Sequence, residues 1–94
     1  MTESELKKRR MDEFQDLFVE ARLCIEDVNE SAGTQYFDED AQAAREAVQE
    51  VLDAFEKILA STPDANEKNR ILRGNGLKVE QLKGELEMAM KAEH

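Results

Sequence analysis

Apolar residues recur three and four positions apart in three long stretches of this chain, with polar residues between them. Such spacing places the apolar residues on one side of a helix, and that side needs apolar neighbours to cover it. The clearest stripe consists of Phe37, Ala41, Ala44, Val48, Val51, Phe55 and Ile58. A second consists of Met11, Phe14, Phe18, Ala21, Ile25 and Val28, and a third of Leu72, Val79, Leu82, Leu86 and Ala89. The pattern predicts three amphipathic helices.

Capping and helix-breaking residues set the expected limits of these helices. Thr2 or Ser4 can cap the first helix, Asp38 can cap the second, and Pro63 separates the second from the third. We expect helix 1 at about 3–30, helix 2 at about 38–61 and helix 3 at about 65–91. Residues 1–94 are then one helical domain of the all-α class, folded as an antiparallel three-helix bundle or a long helical hairpin.

Two glycines, Gly74 and Gly76, fall within the third helix. Each glycine costs about 1 kcal/mol relative to alanine inside a helix. The helix therefore either breaks near 74–76 or continues because something approaches it closely there, and we expect it to continue. Its register then places Asn75 on the apolar stripe, where a polar residue can fix the pairing of helices.

The charge of the chain is negative and unevenly distributed. The net charge is −9, and residues 11–66 hold fifteen acidic but three basic side chains. Residues 67–94 hold six basic and five acidic side chains. This balance argues against nucleic acid as a partner, and we expect none. The acidic surface either keeps a small protein soluble or receives a basic partner.

Residues suited to catalysis are scarce in this sequence. Cys24 is the single cysteine and His94, the last residue, is the single histidine, so a histidine-dependent triad and a zinc site lack their ligands. We expect no cofactor, no metal and no enzymatic activity. We interpret Cys24 as a small core residue, because acidic neighbours would raise its thiol pKa. Without a long apolar run or a signal sequence, we expect no membrane insertion and a cytoplasmic or nuclear location.

Binding to proteins is the function that remains, and we weigh three forms of it. We favour a small helical subunit or adaptor that docks a partner helix through apolar residues, or that self-associates through its helical faces. The candidate partner-binding residues are Leu17, Leu52, Leu59, Leu77, Met88 and Met90. A structural coiled-coil oligomer is one alternative.

The other alternative rests on a resemblance. A helix, a polar connection, a helix ending in AFEKIL and a charged third helix with GLKVEQLK resemble a microtubule-interacting-and-trafficking domain or one helix pair of a tetratricopeptide array. The resemblance covers roughly residues 14–87 and consists of helical spacing. It implies a three-helix fold that binds a peptide in a groove between two helices with acidic rims, and it transfers no site residues.

Overall fold

The computed structural model describes residues 2–91 and contains α1 (Glu3–Ser31), α2 (Phe37–Ala60) and α3 (Ala65–Lys91). Within those residues there is no strand, so the predicted all-α fold is confirmed. Lys7 pairs with Glu67 at 3.2 Å, and Arg22 pairs with Glu85 at 2.8 Å. From the first pair to the second, the residue number increases along both α1 and α3, so these two helices run parallel to each other. The chain is an up-down-up three-helix bundle.

The centre of the core is α2. All seven residues of its predicted stripe are buried, and Ala47 is buried with them. Because these positions extend over a wide arc of the helix, α2 contacts both other helices. This part of the sequence prediction is confirmed.

The helix α1 packs along α2 through the stripe predicted for it. Phe14, Ala21, Ile25 and Val28 are buried, while Met11 and Phe18 are half-buried against the same core. The Phe14 ring lies 5.5 Å from the Phe55 ring and 6.2 Å from the Phe18 ring, centroid to centroid, in tilted arrangements that aromatic pairs favour. An aromatic cluster thus joins α1 to α2.

The helix α3 buries less of its surface than the other two. Its fully buried residues are Val79, Leu82 and Ala89. Leu72, which the sequence pattern places on the stripe, is 44% exposed, and Ile71 is instead half-buried against the core. The prediction for Leu72 was wrong because the contact face of α3 is rotated by about one residue there. The helix is continuous through Gly74 and Gly76.

The turn between α1 and α2 requires a glycine. Gly33 has φ +81°, a left-handed conformation that a side chain disfavours. The Thr34 backbone N–H and hydroxyl both donate to the Ser31 carbonyl, at 2.9 and 2.7 Å. These bonds satisfy a carbonyl that the end of α1 leaves without a helical partner.

The start of α2 differs from the sequence prediction by one residue. The helix begins at Phe37, which is buried, and Asp38 lies in its first turn instead of capping it. The Tyr36 N–H donates to the Thr34 hydroxyl, and this short turn carries Phe37 directly into the core. Asp38, Glu39 and Asp40 still favour the positive end of the helix dipole.

Two other predicted helix starts have side-chain caps. The Thr2 hydroxyl accepts a hydrogen bond from the Glu5 N–H at 3.2 Å. The Asp64 carboxylate accepts one from the Asn66 N–H at 2.9 Å, directly after the break at Pro63. Between α2 and α3, the buried Thr62 hydroxyl donates to the Ile58 carbonyl at 2.8 Å.

The bundle is long for its size. Its principal extents are 48 × 25 × 14 Å and its radius of gyration is 15.2 Å. A compact chain of this length would have a radius of about 12 Å. The outer sides of the helices therefore form long surfaces that are exposed to solvent.

Candidate functional site

The six candidate partner-binding residues fall into two groups. Leu77 and Met88 project from α3 with 69% and 71% of their surface exposed. The other four are partly buried and pack against the core, and these are Leu17, Leu52, Leu59 and Met90. The structure therefore leaves Leu77 and Met88 as the candidates with most of their surface free for a partner.

Two further exposed apolar residues lie on α1. Val19 is 59% exposed and Leu23 is 50% exposed. They are four residues apart, so they occupy one side of α1, away from its buried stripe. Sequence reasoning missed this pair, although the spacing of two large apolar residues outside the predicted stripe was a usable signal.

A groove of about 380 Å³ between α1 and α3 is lined in part by Val19 on α1 and by Gln81 on α3. Of the four exposed apolar residues, Val19 is the one that lines this groove. Leu23 follows Val19 by about one helical turn, and Leu77 precedes Gln81 by the same interval. We call Val19, Leu23, Leu77 and Met88, with the groove between them, the α1/α3 face.

An ion pair crosses the groove. Arg22 of α1 donates to Glu85 of α3 at 2.8 Å, and its guanidinium carbon lies 6.0 Å from the centre of the Phe18 ring. The stacking on Phe18 orients the guanidinium towards the carboxylate. Beyond this pair the groove continues into a depression that Gly84 and Met88 help to line. The apolar residues of the face are thus arranged around an ordered polar centre.

Asn75 lies where its predicted register placed it, half-buried beside the α1/α3 groove. Its side-chain amide donates to the Ile71 carbonyl of the same helix at 3.3 Å. The polar group is therefore satisfied within α3.

Cys24 is half-buried on the side of α1 that faces away from the α1/α3 groove, and it packs against the core. Burial raises the pKa of its thiol, and the carboxylates of Glu20, Asp27, Asp40 and Glu50 raise it further. The thiol is therefore mainly protonated at neutral pH and is a weak nucleophile. The same effect shows that carboxylates from α1 and α2 converge on this side of the bundle.

A separate groove of about 320 Å³ runs between α1 and α2. It is lined in part by Glu13, Leu17, Glu50 and Asp53. Arg10 and Lys57 line the same groove. This α1/α2 groove therefore has a mixed rim of three acidic and two basic side chains beside the apolar Leu17 and Ala54.

Neither a metal cluster nor a membrane-spanning helix is present in the part of the chain that the structure describes. Across residues 2–91, no three His, Cys, Asp or Glu side chains converge in a way suited to holding a metal ion. None of the helices there combines the length and the apolar character that crossing a bilayer requires. His94 lies outside the described residues.

The described residues define a three-helix, all-α protein. The family described as "Embryogenesis-like protein helical domain" matches residues 8–92, and the chain belongs to this family. The chain is also 46% identical over 77 residues to a protein named "Embryogenesis-like protein" from Arabidopsis thaliana. That match covers 82% of this chain and 43% of the length of the relative, so the chain spans less than half of it. No solved structure matches the chain.

Proposed function

We propose that this protein is a non-catalytic helical subunit that binds another protein through its α1/α3 face. The observation that carries the proposal is the exposure of Leu77 and Met88 on α3, together with that of Val19 and Leu23 on α1. Scattered apolar residues are common on protein surfaces, but apolar residues grouped along one groove are typical of a contact surface.

The chemistry of that face favours a helix as the bound element. The exposed apolar residues lie along two parallel helices that border a groove, and amphipathic helices commonly bind in grooves of this kind. The Arg22–Glu85 pair gives the groove a polar point that can fix the register of a bound helix. The raised pKa of Cys24 supports the non-catalytic part of the proposal, because it leaves the one thiol weakly reactive.

Affinity purification of the tagged protein from its native source tests the proposal. Leu77→Asp and Val19→Asp each place a charge on the α1/α3 face, whereas Tyr36→Asp changes an exposed apolar residue in the connection between α1 and α2. We expect a near-equimolar protein, an untagged copy of this chain included, to co-purify with the wild type and with Tyr36→Asp. It should be lost with the two α1/α3 face variants.

Circular dichroism melting of the same variants serves as the folding control. Because the changed residues are exposed, all three variants should melt within a few degrees of the wild type. A partner that is retained by both Leu77→Asp and Val19→Asp would contradict the proposal.

A second candidate function is the binding of a basic peptide along the α1/α2 groove. The carboxylates of Glu20, Asp27, Asp40 and Glu50, which raise the pKa of the Cys24 thiol, favour it, and Glu50 among them also lines the groove. Glu50→Lys should then abolish co-purification of a partner that Leu77→Asp retains. This pair of variants separates the two candidates.

A further inference from the structure

The glycines of α3 have no structural explanation within one chain. A Cβ atom built at Gly74 or Gly84 would meet no atom within 4 Å, and both backbones are helical. Glycine disfavours a helix more than any residue except proline. Both glycines therefore weaken α3 without allowing any close contact inside the bundle.

These two glycines lie on the same stripe as the most exposed apolar residues of α3. Gly74, Leu77, Gln81, Gly84 and Met88 follow one another at intervals of three and four, and all five are exposed. Such a stripe faces one direction, outwards from the buried stripe of Val79 and Leu82. Two glycines, Gly74 and Gly84, are interspersed among the three larger residues of the stripe.

This arrangement of glycines and larger residues is self-complementary about Gln81. Met88 follows Gln81 by seven residues and Gly74 precedes it by seven. When a second α3 lies antiparallel on the first and the two helices cross at Gln81, Met88 of one copy is therefore opposite Gly74 of the other. Leu77 and Gly84, four residues before and three after Gln81, coincide to within one residue. Leu77 and Met88 of each copy then lie over a glycine of the other helix, as in close helix packing at small residues, and the two Gln81 side chains meet at the crossing.

The charges on the edge of this stripe agree with the same arrangement. Arg73 and Glu87 lie on one side of it, eight residues before and six after Gln81. In the antiparallel pair, Arg73 of each copy is within side-chain reach of Glu87 of the other, which gives two symmetric ion pairs.

The distribution of net charge also favours a second copy at this helix. Residues 11–66 carry most of the negative charge of a chain whose net charge is −9, while residues 67–94 hold six basic and five acidic side chains. Two acidic copies repel each other least where their surfaces are nearly neutral. The α3 side is that surface.

We propose that the occupant of the α1/α3 face is a second copy of this chain, with α3 packed antiparallel on α3 about Gln81. The inference rests on the proposed function and names its partner. Under the same two-fold symmetry, Val19 and Leu23 of one α1 approach those of the other. The interface is isologous, because the same residues are used on both sides.

Sedimentation of the purified full chain tests the proposal directly. At about 0.15 M salt, where screening limits long-range repulsion to about 8 Å, the mass should rise from that of one 10.7 kDa chain towards twice that value as concentration increases. We expect the transition between about 1 µM and 500 µM, the range of modest helix contacts. A monomer throughout this range overturns the proposal.

The variant Gly84→Ala tests whether Gly84 lies in a dimer interface or affects only the stability of the single chain. Alanine should stabilise the monomer at low concentration because its Cβ meets open space, yet it should raise the dimer Kd about tenfold by crowding the contact with Leu77. Gly76→Ala is the matched control, since Gly76 lies off the stripe and a Cβ there also meets nothing within 4 Å. It should stabilise the monomer and leave the Kd unchanged; equal effects of the two variants on Kd would overturn the proposal.

A charge exchange tests the antiparallel register. Arg73→Glu and Glu87→Arg should each weaken the dimer, because each sets like charges opposite one another, and the double variant should restore it. Failure of the double variant to restore the dimer overturns the register. If the purified chain stays monomeric while Leu77→Asp still releases a different protein from the native source, the proposed function stands and the second copy is excluded as its occupant.

Discussion

Two leucines of α3, five positions apart, provide the sharpest test of how this helix is oriented. Leu82 is 1% exposed in the core, and Leu77 is 69% exposed on the outer side. Truncation of a buried leucine to alanine removes apolar contacts and leaves a cavity, which costs about 2–5 kcal/mol. Truncation of an exposed leucine changes stability by about 0.5 kcal/mol or less.

These magnitudes can be translated into measured quantities. A domain of this size has a total stability of about 5–15 kcal/mol, so Leu82→Ala removes a substantial part of it. A loss of about 3 kcal/mol should lower Tm by about 12–24 °C, whereas Leu77→Ala should leave Tm nearly unchanged. Urea denaturation followed by circular dichroism at 222 nm should show a lower midpoint for Leu82→Ala with a similar m value.

Protein concentration has to be low in this comparison, because any association through α3 would add stability that Leu77→Ala removes. Under those conditions the two variants should differ by at least about 1.5 kcal/mol. Equal destabilisation by both would refute the orientation of α3 described here, and with it the α1/α3 face.

Two further predictions concern other parts of the bundle. Gly33→Ala should destabilise the protein by about 1–2 kcal/mol in urea denaturation, because φ +81° is strained for a residue with a side chain; an unchanged midpoint would contradict the turn geometry. Alkylation of Cys24 by iodoacetamide at about pH 8 should be slower in the folded protein than in urea, since the raised pKa leaves less thiolate at a given pH. Glu20→Gln should accelerate it by removing one of the charges that raise this pKa. Because the pKa of the Cys24 thiol is higher in the folded than in the unfolded protein, ionisation of this thiol disfavours the folded state. The free energy of unfolding should therefore be highest below the unfolded-state pKa and should fall as pH rises towards the folded-state pKa. No acceleration by Glu20→Gln would show that the carboxylate does not act on the thiol.

The buried residues of α2 could be predicted from the sequence, because the helical spacing of its apolar residues is enough to identify them. With neighbours on both sides, every residue of its apolar stripe is buried, and no choice between two faces arises. For α3, by contrast, the spacing admits both Leu72 and Ile71, and it is Ile71 that packs against the core. The start of α2 was similarly missed by one residue, because burial of Phe37 outweighs the preference of Asp38 for a capping position.

The candidate interaction surface was harder to predict than the core. Leu77 and Leu52 both lie outside the predicted stripes, yet Leu52 packs partly against the core and Leu77 does not. A helical period shows which residues share a side of a helix, but it does not show how far a neighbouring helix extends around that side. The position of Val19 outside the predicted stripe was a usable signal, but how much of its side chain stays exposed depends on where α3 lies.

The unequal burial of the three helices implies an order of folding. The helices α1 and α2 are joined by a short turn at Gly33, so their first contacts require little loop closure. The ties of α3 to α1, such as Lys7 with Glu67, join residues 60 positions apart. We therefore expect the α1–α2 hairpin to form first and to provide the surface on which α3 condenses, so that the helix with the outward-facing groove is also the last to reach its place.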